Sequence, residues 1–139
     1  MPKSTFQNLD LEFYENGGLY HVKARSFNGE ARHQFALPFT LDEAKATILA
    51  IEKSLANHTL SLEVVKKFGG DLFEAVFQKD VRAIYKSSLD LACAQGGEGL
   101  RLRLHLQDTP ALAHLPWEYL YDAANQFVCF NRQTPVVRY

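Results

Sequence analysis

The chain has 139 residues, of which 47% are hydrophobic and 12% aromatic, and its formal net charge is −1. This size and composition predict a single folded domain over residues 1–139 and are not typical of a disordered segment. The balanced charge gives no general attraction to nucleic acid or to an anionic membrane, and no apolar run has the length of a membrane span. Because the N-terminus also lacks the apolar core of a secretory signal, we predict a cytoplasmic protein.

The N-terminal part reads as antiparallel strands. Alternating residues from Leu9 to Arg25 flank the turn Asn16-Gly17-Gly18, which predicts a hairpin. A second turn at Asn28-Gly29 leads into a third strand, which Pro38 closes, and the three strands predict an antiparallel meander. The residues assigned to one face of the hairpin are Leu9, Leu11 and Phe13, those assigned to another face are Tyr20, Val22 and Ala24, and the third strand runs through His33, Phe35 and Leu37.

The first of three predicted helices begins at a capping box. The Thr40 hydroxyl can accept from the backbone N–H of Glu43, while the Glu43 side chain reaches back to the cap. Apolar residues at intervals of three and four predict one buried stripe on this helix. These residues are Leu41, Ala44, Ile48, Ile51 and Leu55.

Two further helices complete this region. The second begins at Ser61 or Leu62, and Gly69-Gly70 predicts either a break in it or a close contact with a neighbouring helix. Asp80 is predicted to cap the third helix, and Gly96-Gly97 to end it. The apolar residues of the second helix are Val65, Phe68, Leu72, Phe73, Val76 and Phe77, and those of the third are Val81, Ile84, Tyr85, Leu89 and Ala92.

The clearest strand runs from Leu100 to Leu106, where leucines alternate with Arg101, Arg103 and His105. These three cations form a candidate polar contact face. The face could bind a carboxylate or another anion, or it could be exposed or paired with the acids of a covering helix, and we favour the second interpretation. With no aromatic residue interleaved, stacking on single-stranded nucleic acid is poorly supported.

The remaining segments are short. Thr109-Pro110 predicts the cap and first turn of a helix that ends before Pro116, and a further helical turn is expected over residues 117–121. A polar loop over residues 122–126 and a buried apolar strand over residues 127–130 follow.

No residue pattern predicts a catalytic or cofactor site. The two cysteines, Cys93 and Cys129, lie in apolar surroundings that favour packing, and the histidines are scattered without the spacing of metal ligands. No glycine-rich segment carries the lysine of a phosphate-binding loop. We expect Trp117 to be a buried anchor with its N–H paired, and Glu118 to stabilise a helix end or pair with an arginine. No metal and no cofactor are therefore predicted.

Three segments nonetheless carry a family resemblance. They are the Leu-Arg-Leu-Arg-Leu strand, the motif Leu-Pro-Trp-Glu-Tyr-Leu-Tyr-Asp over residues 115–122, and Phe127 with Arg-Gln-Thr-Pro-Val-Val-Arg-Tyr over residues 132–139. With them the chain resembles the CHAT domain family, the bacterial caspase-like domains often linked to tetratricopeptide repeats. The early hairpin, residues 37–39 and residues 68–77 also look like the N-terminal region of that family. The family-signature structural residues are Leu115, Pro116, Trp117, Glu118, Tyr121 and Asp122.

The resemblance implies a fold and a function. The implied fold is α/β, the N-terminal part of a caspase-like fold: a hairpin or meander, then three helices and further strands, with the helices packed on the sheet. Such domains use a His-Cys dyad, and no part of this sequence matches either motif of the dyad. We therefore expect a non-catalytic pseudo-protease module that supports or regulates a caspase-like cysteine protease through protein contacts.

The expected partners are proteins. They are a caspase-like protease half, a tetratricopeptide-repeat protein, or a second copy paired through the terminal strand, and neither nucleic acid nor a membrane is expected. The chain could be the N-terminal portion of a longer protease, which its apolar ending favours, or an independent adaptor. A third reading is a cryptic cysteine hydrolase that uses Cys129 with His105 or His114.

Overall fold

The computed structural model describes residues 6–57, 62–94, 97–122, 126–127 and 134–139. Seven strands and four α-helices lie in these residues, together with one turn of 3-10 helix over Trp117–Tyr119. The strands are β1 (Phe6–Asn16), β2 (Leu19–Ser26), β3 (Gly29–Phe35), β4 (Gly99–His105), β5 (Tyr121–Asp122), β6 (Gln126–Phe127) and β7 (Val136–Arg138). The helices are α1 (Leu41–Ala56), α2 (Leu62–Val76), α3 (Lys79–Cys93) and α4 (Pro110–Ala113).

The main sheet has five strands in the order β3-β2-β1-β4-β7. Strands β1, β2 and β3 form the predicted antiparallel meander. Strand β4 pairs parallel with β1, and β7 pairs parallel with β4. Strands β5 and β6 form a separate antiparallel pair. The predicted α/β class, with strands followed by three helices that pack on the sheet, is confirmed.

The β1–β2 hairpin turns where the sequence predicted, because Gly17 and Gly18 both take positive φ angles, of 62° and 80°. The assignment of its apolar residues to two faces is wrong. Leu11 pairs with Ala24 and Phe13 with Val22, and directly paired residues share a face of the sheet. Strand β3 ends at Phe35, two residues before the predicted Leu37.

The core lies between one face of the sheet and the helices. Alternate residues of β1 and all four leucines from Leu100 to Leu106 are buried, so the predicted alternation of β4 is confirmed. An aromatic cluster of Phe73, Phe77 and Tyr85 joins α2 to α3, with ring centroids 4.4–5.8 Å apart. Burial of these rings and leucines supplies the largest stabilising contribution to the fold.

Helix α1 begins at the capping box, in which Glu43 N–H donates to Thr40 Oγ1 at 3.0 Å and Thr40 N–H donates to Glu43 Oε1 at 3.1 Å. Its predicted buried stripe is only partly right. Ala44 and Ile51 are buried, whereas Leu41 and Leu55 are exposed. The reason is that α1 lies at the periphery and packs mainly on α2.

Helix α2 runs without a break through Gly69-Gly70, so the predicted alternative of a close contact is the one observed. Helix α3 begins two residues earlier than expected: its N-cap is Gln78, and Asp80 lies in the first turn instead of capping the helix. An acidic residue in the first turn is still favourable because it faces the positive end of the helix dipole.

The C-terminal third departs most from the predictions. Helix α4 ends at Ala113, and its cap residue Thr109 makes no side-chain capping bond; its hydroxyl donates to Leu106 O instead. The expected polar loop over residues 122–126 is bordered by the β5–β6 pair, in which Asp122 is paired with Gln126. The predicted strand over residues 127–130 is described only at Phe127, and Cys129 and Gly96 lie outside the described residues. No helix among the described residues is long and apolar enough to cross a membrane.

Candidate functional site

The motif over residues 115–122, here called the motif segment, lies between α2 and the sheet. Trp117 is fully buried, and its Nε1–H donates to Leu112 O at 2.8 Å. Its ring packs 5.1 Å from the ring of Phe13 on β1. Trp117 is therefore the paired, buried anchor that the sequence predicted.

Gly69 explains how the motif segment can lie so close to α2. A Cβ atom at this position would stand 1.5 Å from the carbonyl oxygen of Tyr119 and 2.6 Å from its carbonyl carbon. No side chain fits there without a shift of the backbone, so only glycine permits the contact. At Gly70 the nearest atom would lie at 3.8 Å, which is ordinary contact distance.

Glu118 pairs with an arginine, which is one of the two roles that the sequence predicted for it. Its carboxylate accepts from Arg138 on β7 at 2.8 Å. The same guanidinium donates to the backbone oxygens of Ala113 and Leu115, each at 3.0 Å. One side chain thus fastens β7 to α4 and to the start of the motif segment.

The other signature residues also pack. Leu115 is buried and Pro116 is half-buried. The ring of Tyr121 lies 5.6 Å from the Lys66 ammonium on α2. Asp122 is buried beside α3, where burial and the negative charge of this carboxylate together raise the pKa of Tyr85. The signature residues therefore hold elements together rather than line an open cleft.

Arg101, Arg103 and His105 lie side by side on the second face of the sheet, here called the polar sheet face, which is formed by the outward side chains of β1 to β4. Asp10 on β1 is the centre of the cluster. Arg103 Nε and Nη2 donate to its two oxygens at 2.8 and 2.7 Å, and His105 Nε2 bonds to it at 2.8 Å. Burial raises the pKa of Asp10, but the hydrogen bonds and charges of Arg103 and His105 outweigh it, so this pKa lies below its usual value.

The sequence correctly predicted that an acidic residue pairs with these cations, but it assigned that acid to the wrong element. The acid comes from the neighbouring strand β1, not from a covering helix. The signal was present in the alternation of Asn8, Asp10 and Glu12 with the apolar residues of β1. These residues can be recognised as partners of the cations only if β1 is known to pair parallel with β4. The meander alone does not predict that pairing.

Aromatic rings also reach this face, contrary to the expectation. The Arg101 guanidinium lies 5.4 Å from the ring of Phe6, and the ring of His105 stacks on that of Tyr139 at 5.0 Å. These rings come from the neighbouring strand and from the residue after β7, so they could not be read from β4 itself. Because each ring already contacts a cationic or imidazole side chain, it contributes to the stability of the face.

A cleft adjoins the polar sheet face beside His105. It is shallow, with a volume of about 260 Å³, and lies between the residues Glu12, Phe13, Gln107 and Asp108. A carboxylate that orients an imidazole is part of the arrangement of a general base, but no serine, threonine or cysteine is among these lining residues. Among the described residues, no group of three or more histidines, cysteines or acids could hold a metal ion. His114 is exposed, and the reading that pairs Cys129 with a histidine falls on a residue outside the described ones.

Comparison of the chain with protein-family models, with curated proteins and with solved structures finds no match.

Proposed function

We propose that this chain is a non-catalytic, CHAT-like module that supports or regulates a caspase-like cysteine protease through protein contacts. The observation that carries the proposal is the use made of the motif segment. Trp117 and Glu118 belong to the motif that carries the resemblance, and they anchor α4 and β7, respectively, to the rest of the molecule. This structural use of the motif supports a non-catalytic role for the chain. The cytoplasmic setting of this function rests on the sequence prediction.

The surface that the motif segment holds in place is the outer edge of β7, with which no further strand pairs among the described residues. Leu102 N–H donates to Pro135 O, Tyr139 N–H donates to Leu104 O, and Leu106 N–H donates to Tyr139 O. Residues 135 and 139 therefore face β4, and because backbone groups alternate along a strand, those of Val136 and Arg138 face away from it. These outward groups can pair with an added strand, which is a common mode of peptide recognition.

The test is a binding titration against a caspase-like polypeptide that carries the His-Cys dyad and comes from the same organism. We expect saturable binding by calorimetry and a change in peptidase activity. Val136→Pro removes one outward N–H and should weaken binding about tenfold, whereas Val136→Thr keeps this N–H and should change binding by less than about threefold. Absence of binding by the unaltered chain, together with unchanged peptidase activity, would contradict the proposal.

A further inference from the structure

The other edge of the sheet, strand β3, also has unpaired backbone groups. A two-residue turn joins β2 to β3, and Ser26 and Gly29 are the pair that flanks it. Because hydrogen-bonded pairs alternate along an antiparallel ladder, the next such pairs are Ala24 with Ala31 and Val22 with His33. By alternation, the N–H and C=O groups of Glu30, Arg32 and Gln34 point away from β2. Strand β3 is the last strand on this side of the sheet, so among the described residues no strand pairs with these groups.

The side chains along this edge have opposite charges at neighbouring outward positions. Glu30 and Arg32 are both exposed and both lie on the polar sheet face. The nearest cation to Glu30 is Lys23, at the long distance of 3.9 Å. Among the described residues, no carboxylate pairs with Arg32. Both side chains are exposed and can therefore reach a partner across the edge.

These features fit a second copy of the same edge. We propose that two copies pair antiparallel through β3, with the two-fold axis at Ala31, and so form one continuous sheet. In this register Glu30 of each copy lies opposite Arg32 of the other, and the outward backbone groups of these residues exchange hydrogen bonds. A register centred on Arg32 would instead place two arginines opposite each other, which is unfavourable.

An exposed aromatic residue supports the same register. Phe27, at the tip of the β2–β3 turn, is 53% exposed. The tip is held on α3, because Asn28 Nδ2 donates to Ser87 Oγ at 2.7 Å and Ser26 and Ser88 share a hydrogen bond of 2.8 Å. Phe27 is therefore displayed by a supported turn.

Pairing about Ala31 brings Phe27 of one copy level with Phe35 of the second. Phe35 lines an apolar groove of about 280 Å³ at the end of the sheet, together with Leu19, Leu37 and Leu41. Leu19 and Leu41 are themselves exposed in the single chain. One register thus satisfies the backbone groups, pairs the charges and brings an exposed ring to an apolar groove. The contact is small, which predicts a weak, concentration-dependent dimer. It lies at the opposite edge from β7 and does not depend on the proposed function.

Charge reversal tests the dimer on exposed residues that the fold does not need. Sedimentation of the unaltered chain should show dimers that dissociate on dilution. Arg32→Glu and Glu30→Arg should each raise the dissociation constant about tenfold, because like charges then face each other twice. The combined Glu30→Arg and Arg32→Glu variant should restore it to within about threefold. Lys53→Glu, an equal change of charge on the exposed face of α1, should have little effect.

Hydrogen exchange followed by NMR tests the register itself. The amides of Glu30 and Arg32 should become protected as concentration rises, whereas those of Ala31 and His33, already bonded to β2, should be protected throughout. Phe27→Ala should raise the dissociation constant several-fold. A monomer at all concentrations up to about 1 mM would overturn the proposal. A dimer that is unaffected by Arg32→Glu, or that leaves the amides of Glu30 and Arg32 exchanging freely, would overturn it equally.

Discussion

Gly69 occupies a position where the space for a side chain is taken by backbone. The carbonyl oxygen of Tyr119 stands 1.5 Å from the place where a Cβ would lie. We expect Gly69→Ala to lower the free energy of unfolding by about 3 kcal/mol or more, because either α2 or the motif segment must move. Urea titration measures the change.

Gly70 provides the matched control, since it lies in the same helix and a Cβ there would have its nearest neighbour at the ordinary contact distance of 3.8 Å. Gly70→Ala should leave stability unchanged or raise it by up to about 1 kcal/mol, through the higher helix propensity of alanine. If the two substitutions had equal effects, helix propensity and not the contact with Tyr119 would explain the glycine pair.

Tyr85 carries a hydroxyl that is fully buried and, among the described residues, has no hydrogen-bond partner. We expect Tyr85→Phe to stabilise the protein by about 1 kcal/mol, because it removes an unpaired polar group and keeps the ring between Phe73 and Phe77. Tyr20→Phe, at a half-buried ring, should change the free energy of unfolding by less than about 0.5 kcal/mol.

Measurements at alkaline pH distinguish removal of the unpaired Tyr85 hydroxyl from a simple gain in packing as the cause of this stabilisation. Burial, with the charge of Asp122, raises the pKa of Tyr85 in the folded protein, so ionisation of the phenol favours the unfolded chain. The unaltered protein should lose stability as pH rises above about 10, the ordinary pKa of tyrosine. Tyr85→Phe should lose less over this range, and an equal loss in both proteins would contradict the assignment.

At the scale of elements, α1 shows what a local sequence pattern can and cannot predict. The capping box at Thr40 and Glu43 depends on four consecutive residues, so it could be read from the sequence and is observed. Burial of the helix depends on what packs against it. The apolar spacing predicted a full stripe, but only Ala44 and Ile51 are buried.

Thr40→Ala tests how far α1 is coupled to the rest of the protein. Loss of the cap should destabilise the helix by about 1 kcal/mol. Because α1 packs mainly on α2, we expect faster hydrogen exchange in the first turn of α1, with little change in the strands of the sheet. Thr47→Ala, within the helix, is the control and should not accelerate exchange there. Equal acceleration in α1 and in the sheet would show that the helix is part of the cooperative core.

The candidate site was likewise only partly predictable from the sequence. The period of two in β4 predicted a buried leucine face and a row of Arg101, Arg103 and His105, and both are observed. Asp10, the partner of Arg103 and His105, lies more than ninety residues away in the chain, at a separation of 93 from Arg103. Only the parallel register of β1 with β4 brings the two together, and a strand pattern does not encode its neighbour. The pairing of Glu118 with an arginine was foreseen as a type of contact, but the identity of Arg138 required the position of β7.

At the scale of the whole molecule, Asp10 is where the two halves of the sheet meet. It belongs to the meander, while its partners Arg103 and His105 belong to the strand that follows the helices. His105 in turn stacks on Tyr139, which is bonded to β4 through its backbone. The carboxylate therefore stabilises the contact of residues that are distant in the chain. We expect Asp10→Asn to cost about 1.5–3 kcal/mol at neutral pH, the range for hydrogen bonds to charged groups.

Acid unfolding tests this role of Asp10. Its pKa is lower in the folded protein than in the unfolded chain, so the stability it provides is complete above the unfolded value of about 4 and is lost as pH falls through the lower folded value. The free energies of unfolding of the unaltered protein and of Asp10→Asn should accordingly converge at low pH, because the carboxyl is then protonated in both states. Glu12→Gln removes a carboxylate on the same strand that pairs with the exposed Arg25, and it should cost less than about 1 kcal/mol. A difference between the unaltered protein and Asp10→Asn that stays constant from neutral pH to below pH 3 would show that packing, and not the charge of Asp10, joins the two halves of the sheet.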